Sequence, residues 1–175
     1  MQVLSILKGN FTVSTGDKDY SLKIRRLEGA DQAHACAQMM ANSEPWITLR
    51  RTYDDSIAML NGPIREVYVG IVEETVVGFL ILRMDGAFVG YIQTVAVEPG
   101  WRGRGVGTRL IECAEDRIFR ESPNVFINAS SFNPGAQRLY ERLGYEVVGE
   151  LKDYIVPGHS EMLLRKTIGP LVEFR

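Results

Sequence analysis

The residues best placed to do chemistry fall in one short run, Val95-Ala96-Val97-Glu98-Pro99-Gly100-Trp101-Arg102-Gly103-Arg104-Gly105-Val106-Gly107-Thr108. A strand pattern ends there, a turn passes, and Gly103, Gly105 and Gly107 lead straight into a helical pattern. With no Cβ in the way, consecutive main-chain N–H groups can converge at the positive end of a helix dipole, which makes an anion site. Arg102 and Arg104 add cationic donors beside it, so the chemistry on offer is the holding of a phosphate or diphosphate. A glycine-rich turn flanked by two solvated arginines would give the same six residues, and the pattern alone leaves both readings open. Two nucleotide motifs are excluded. A P-loop needs Gly-Lys-Ser/Thr at its end, and Gly107-Thr108-Arg109 lacks the lysine. The dinucleotide pattern G-x-G-x-x-G would place glycine where Thr108 stands, and Val125–Ser130 supplies none of the acidic residues that motif needs.

Other reactive side chains are sparse. Asn133 before Pro134 reads as a helix cap, and Tyr140 shares a helical face with Ala136 and Leu143, as a core tyrosine would. Cys36 and Cys113 sit beside alanines in helical patterns and read as small buried hydrophobes. Cys and His show no metal-ligand spacing, so no metal is expected. Glu98 and Glu161 read as surface charge, and His34 as a polar residue of the first helix.

The elements that must position these residues are legible in order. Residues 1–20 are the least so: Phe11–Asp17 is either half of a hairpin with Leu22–Leu27 or a loose terminus. Asp31 is placed to cap a helix through about Ala41, and a shorter helix runs from Tyr53 to Leu60 before Asn61-Gly62-Pro63. Glu66–Val72, Thr75–Met84 and Ala87–Val97 are rich in Val, Ile, Tyr and Phe and read as three antiparallel strands, with Asp85-Gly86 as a two-residue hairpin turn. Gly70, Gly78 and Gly90 within them mark bulges or close backbone approaches. Val106, Leu110, Cys113/Ala114 and Ile118 recur at helical spacing to about Arg120; Val125–Ser130 is a strand, Pro134–Leu143 a helix closed by Gly144, and Tyr145–Leu151 and Ser160–Lys166 are strands. The crossover from Ala87–Val97 through a helix to Val125–Ser130 makes those two strands parallel, and the sheet mixed.

The chain has 175 residues and a formal charge of −2, is 45% hydrophobic and 24% charged, and shows no repeat or linker, so one domain over 1–175 is expected. The balanced charge gives no reason to expect a nucleic-acid partner. No stretch approaches ~18 apolar residues and the opening run is too short for a signal peptide, so a cytoplasmic protein without membrane contact is expected.

The pattern Arg/Gln-x-x-Gly-x-Gly/Ala, present as Arg102-Gly-Arg-Gly105-Val-Gly107 after the strand Thr94-Val-Ala-Val, combines with Asn133 and with Leu139-Tyr140-Glu-Arg-Leu-Gly144-Tyr145. In that order and on those elements, the chain resembles the GCN5-related N-acetyltransferase (GNAT) superfamily from about Leu22 to Lys166. The resemblance implies an α/β fold of α+β character: a mixed, mostly antiparallel sheet of about six or seven strands with about four helices and two splayed parallel central strands. It implies acetyl-CoA as co-substrate, without a metal, lying between Gln93–Val97 and Val125–Ser130. The pantetheine arm would bond the backbone of Val95, Ala96 and Val97, and the pyrophosphate would sit on the N–H groups from Gly103 through Arg104, Gly105, Val106 and Gly107 to Thr108. The Val95 N–H would point at the thioester carbonyl, Asn133 would touch the arm, and Tyr140 would be the acid that protonates the leaving thiolate.

The implied reaction is direct attack of an amine on the thioester. The acceptor, a small-molecule amine or a peptide or protein N-terminus, is not readable. A glutamate serves as base on the corresponding strand of several family members, but Tyr91 stands there, so the proton is expected to leave through ordered water near Tyr91 and Gln93. Glu44 and Trp46, in the loop between the first helices, and His159, before the last strand, complete the candidate acceptor residues. A non-catalytic acyl-CoA-binding or sensing module is the alternative. A homodimer formed through the last strand as an open edge is a further expectation.

Overall fold

A computed structural model describes residues 9–16 and 18–174. The elements are β1 (Gly9–Thr15), β2 (Lys18–Arg26), α1 (Gly29–Ala41), α2 (Tyr53–Leu60), β3 (Arg65–Val72), β4 (Thr75–Arg83), β5 (Tyr91–Val97), α3 (Val106–Ile118), β6 (Asn124–Ser130), α4 (Pro134–Arg142), β7 (Glu146–Lys152) and β8 (Ser160–Thr167). They form one eight-stranded sheet in the order β1-β2-β3-β4-β5-β6-β8-β7. The parallel pair is β5 with β6; every other pairing is antiparallel.

The eight strands exceed the six or seven expected. The extra strand comes from the N-terminal hairpin, where β1 pairs with β2 from Gly9↔Ile24 to Thr15↔Lys18; residues 1–8 lie outside the described residues. The Asp85-Gly86 hairpin turn is not formed. Asp85 folds back onto Arg83 through a two-pronged ion pair (2.8 and 3.1 Å), Phe88 packs edge-on against Phe126 at 4.8 Å, and β5 begins only at Tyr91. α1 begins at Gly29, ahead of the expected cap Asp31, because the Gln32 side chain reaches back to accept from the Glu28 N–H. The last strand is not an edge: β8 lies between β6 and β7, which removes the expected dimer edge from it and leaves β7 outermost.

Helices cover both faces of the sheet. On one face α3 and α4 bury Val106, Leu110, Ile118 and Tyr140 against Leu80, Ile92, Ile127 and Ala129. On the other, α1 and α2 bury Cys36, Met40, Met59 and Leu60 against Val69, Phe79, Ile81 and Ala96. Gly78 is required where α3 meets the sheet, since a Cβ there would lie 2.9 Å from the Ala96 carbonyl and 3.1 Å from Leu110. Burial pushes the thiol of Cys36 up to about 12 and that of Cys113 to about 11, as expected of packing cysteines.

Two irregularities shape the centre. In the β4–β5 ladder Ile81 faces Thr94 and Leu82 faces Ile92, so Gln93 is an extra residue in β5. This bulge inverts the pleat: Ile92 packs toward α3, whereas Thr94 and Ala96 turn toward α1 and α2. The β5–β6 ladder is also short. It pairs Tyr91 with Phe126 and Ile92 with Ile127, and beyond these residues the parallel strands diverge.

Candidate active site

The divergence of β5 and β6 opens a cleft of about 690 Å³. Val95, Asn128, Ala129 and Ser130 line its sheet side, Asn133, Ala136 and Tyr140 come from the start and middle of α4, and Pro45, Trp46, Arg51 and Met59 come from around α2. Tyr154 and Ile155 from the β7–β8 connection, together with Glu161 at the head of β8, close the remaining wall.

At the other end of β5 the chain passes through a 3₁₀ turn (Pro99–Trp101), capped by Glu98 accepting from the Gly100 N–H at 2.7 Å. Gly103 (φ 72°) and Gly105 (φ 84°) then adopt left-handed backbone, which side chains disfavour, and α3 starts at Val106. The Arg109 N–H is the first to find a helical acceptor, the Gly105 carbonyl at 3.0 Å. None of the N–H groups of Gly103, Arg104, Gly105, Val106, Gly107 and Thr108 donates to a described residue. Six adjacent donors without a partner among the described residues thus stand at the amino end of a 13-residue helix, the arrangement an anion cradle requires. Arg102 is anchored by its Nε to the Val97 carbonyl (3.0 Å), and the Arg104 guanidinium stands 5.4 Å over the Trp101 ring. Both cations therefore have a fixed place beside the cradle. Val106 is 1% exposed, its side chain in the core, so only its backbone is on offer. The side chain of Ala96 is likewise buried, in the opposite layer from Val95 and Val97.

Asn133 caps α4 through its Oδ1, which accepts from the Ala136 N–H at 3.2 Å, and it lines the cleft as well. Tyr140 is 7% exposed and lines the cleft from the α3/α4 face. Burial first, and then the neighbouring Tyr91 phenol, hold its own phenol well above the ordinary tyrosine range, so it stays protonated at neutral pH. Tyr91 also lines the cleft. Burial, then the neighbouring acidic groups of Tyr154 and Glu161, push its phenol up to about 12. Gln93 lines the cleft with its Oε1 accepting from Arg65 Nε at 3.2 Å. The Arg65 guanidinium also donates to the Met59 carbonyl, and burial followed by the nearby Arg83 and Arg51 charges lowers its pKa.

Two expected acceptor residues are not brought to this cleft. Glu44 is exposed and spends its carboxylate on the N–H and hydroxyl of Thr48, although its neighbour Trp46 does line the wall. The His159 ring stacks edge-on against Phe132 at 4.8 Å, outside the cleft lining. Conversely, Glu161, expected as surface charge, is 4% exposed and lines the cleft, with Oε1 accepting from Ser130 Oγ at 2.6 Å. Ser130 stands directly opposite it across the β6–β8 ladder. The alternation of β8, with Glu161 and Leu164 buried and Met162 between them half-buried, is too irregular to give that inward aim away. Glu98 is no free surface charge either, since it caps the turn before the glycine loop.

The mixed sheet is thus split at its parallel pair, with a row of free N–H groups after the first split strand and a buried tyrosine facing the split. Residues 33–145 match the model of the acetyltransferase (GNAT) family, and the chain belongs to that family of acyltransferases. An N-alpha-acetyltransferase of Saccharolobus solfataricus is 25% identical over 114 residues, which is 58% of this chain and 68% of that one. The matched region is under half the length of some longer relatives. A GNAT-family acetyltransferase from Desulfovibrio desulfuricans superposes with a TM-score of 0.72 at 17% identity, covering 85% of this chain and 99% of the other. An aminoglycoside 6′-N-acetyltransferase solved with coenzyme A superposes at 0.67 with 19% identity, over 84% and 97%. At those identities the superpositions speak for the fold. Among the described residues no helix is long and apolar enough to cross a membrane.

Proposed function

We propose that this protein transfers an acetyl group from acetyl-CoA to a primary amine, of a small molecule or of a peptide or protein N-terminus, by direct attack on the thioester. The observation that carries this reading is the row of unpaired N–H donors from Gly103 to Thr108, standing at the end of the strand that leads into the split. The cradle takes the diphosphate, with Arg102 and Arg104 beside it. The arm of the co-substrate then follows β5, where the backbone of Gln93–Val97 has lost its pairing to β6 and can bond amides. Val95 N–H acts on the thioester oxygen; a single donor of this kind is worth about 3 kcal/mol where one has been removed in other enzymes. Asn133 holds the start of α4 against the arm, and Tyr140 donates its phenolic proton to the departing sulfur.

The amine enters between Trp46, Tyr91, Gln93 and Tyr154. Family membership and the amine-acetylating relatives support the reaction class, and the cleft's own wall selects the acceptor. The test is thiol release from acetyl-CoA across a panel of polyamines, aminoglycosides, amino acids and short peptides. Release that depends on an amine supports the reading. Tight binding of acetyl-CoA with no release for any amine would leave a cofactor-binding module instead.

A further inference from the structure

We infer that Glu161 is both the anchor for the incoming amine, held first as an ammonium ion, and the group that takes its proton. The inference rests on the acetyltransferase reading and adds to it a proton acceptor that the strand position of Tyr91 does not supply.

The pleat puts the two chemical groups on opposite sides of the split. Ala129 and Tyr140 belong to the core on the α3/α4 face. Alternation along β6 turns Asn128 and Ser130 to the other face, and the register pairing of Ser130 with Glu161 places Glu161 there too. A thioester lying in the split is thus reached by Tyr140 from one face and by an amine at Glu161 from the other, the arrangement that direct transfer needs.

Glu161 is a buried carboxylate without a cationic partner among the described residues. Buried carboxylates are normally matched by positive side chains. Glu66 has Arg117 on both oxygens, with Arg26 and the Tyr68 hydroxyl besides, and Glu115 has Lys166 at 2.6 Å. Glu161 belongs to none of the ion pairs among the described residues, and its one hydrogen bond is from Ser130. On the same face the buried Asn128 Oδ1 also has no donor. Two acceptor oxygens without donors on a cleft wall take two of the three N–H bonds of an ammonium group and leave the third to solvent.

The charged and titratable groups around Glu161 and on its cleft are Tyr91 on β5, Tyr140 on α4, Tyr154 in the β7–β8 connection, His159 ahead of β8, Arg51 before α2 and the Arg83–Asp85 pair beside Tyr91. Burial raises the Glu161 carboxyl above the ordinary range, against the Ser130 hydrogen bond and the His159 charge, which lower it. That direction makes it a better proton acceptor than a solvated glutamate. The rival groups are disarmed: Tyr91 stays protonated, Gln93 does not titrate, and Glu44 and His159 lie outside the cleft.

The proton count closes. The ammonium gives one proton to Glu161, and the neutral nitrogen attacks, forming C–N and moving the carbonyl pair onto oxygen. Collapse re-forms C=O and breaks C–S; the sulfur takes the proton of Tyr140, and the surplus proton on the new amide nitrogen replaces it. Glu161 returns its proton to solvent when the product leaves.

The test is the pH profile of kcat/KM for wild type, Glu161→Gln and Ser130→Ala, with acetyl-CoA and the probe amines spermidine, kanamycin and trialanine. Glu161→Gln should lower kcat/KM for the best probe about 100-fold at pH 7, leave the KM for acetyl-CoA within about twofold, and abolish the acid limb assigned to a carboxyl. Ser130→Ala removes a hydrogen bond that favours the carboxylate, so the same limb should move up by about half a pH unit or more. Glu161→Gln should also melt higher than wild type at pH 8 and not at pH 4, since a carboxylate kept charged against its burial destabilises the fold only where it is ionised. Near-wild-type turnover of Glu161→Gln with an unmoved acid limb, or no shift of that limb in Ser130→Ala, would overturn the inference while leaving the transferase reading in place. If wild type binds acetyl-CoA and acetylates none of the three probes, it is the transferase reading that fails, and the inference goes with it.

Discussion

The glycine loop and the acceptor cleft solve opposite problems. The loop is contiguous, built from six consecutive residues whose useful atoms are main-chain N–H groups, and apart from Arg104 its side chains serve by being absent or by pointing into the core, as Val106 does. The cleft is assembled from the α2 region, β5, β6, α4 and β8, and its useful atoms are the ends of side chains brought together from more than 100 positions apart, Trp46 to Glu161 among them. On the proposed reading the loop serves one chemical class through its backbone, whereas the cleft depends on individual side chains.

Substitutions can break that contrast. The largest effect is expected from Tyr140→Phe, which removes the proposed proton donor and keeps the ring: kcat should fall about 100-fold with acetyl-CoA binding retained, measured by thiol release and by calorimetry. Next comes Gly105→Val. A β-branched residue at φ 84° is strained and turns the cradle N–H groups aside, so KM for acetyl-CoA should rise about tenfold or more while the acceptor KM stays put. Arg104→Ala should raise KM for acetyl-CoA by roughly threefold, an effect that shrinks as salt is added because the group is partly exposed.

The contrast sharpens when Glu161 is set beside Glu66. Burial alone would raise Glu66, but the hydrogen bonds and charges of Arg117, Tyr68 and Arg26 outweigh it and hold the carboxyl below the ordinary range. A carboxyl lowered on folding stabilises the protein above its unfolded pKa of ~4.3 and loses that contribution as the pH falls through the folded value. Arg117→Met should therefore cost about 1–3 kcal/mol at pH 7, shrink in effect toward pH 3, and leave kcat/KM nearly unchanged, by thermal melts and initial rates. Glu161 lies on the other side of this ledger, with an expected loss of rate and gain of stability on neutralisation.

Legibility in the sequence followed the same line. Helix and strand order from Asp31 onward was readable because capping and periodicity are local: Asn61-Gly62-Pro63 after α2, Asn133 with Pro134, and the run Val106–Ile118 all act within a few residues. The glycine loop was readable for that reason too. What escaped depends on tertiary register. The Asp85-Gly86 turn has the residues of a tight hairpin, yet the Arg83–Asp85 ion pair and the Phe88–Phe126 contact draw the chain elsewhere. Glu161 is hidden in an irregular strand pattern, and only its pairing with Ser130 across β6–β8 reveals where it points. No local signal tells that the last strand in sequence is interior to the sheet.

The central claim is that the main-chain N–H groups of residues 103–108 hold the diphosphate, and amide NMR on the isotopically labelled protein tests it directly. Titration with coenzyme A should move the Gly103, Gly105 and Gly107 amide resonances further than those of any other glycines, toward the shifts of hydrogen-bonded N–H, and inorganic pyrophosphate should move the same signals at higher concentration. If coenzyme A binds while these amides keep their positions, the cradle is only a turn, and the account built on it is wrong.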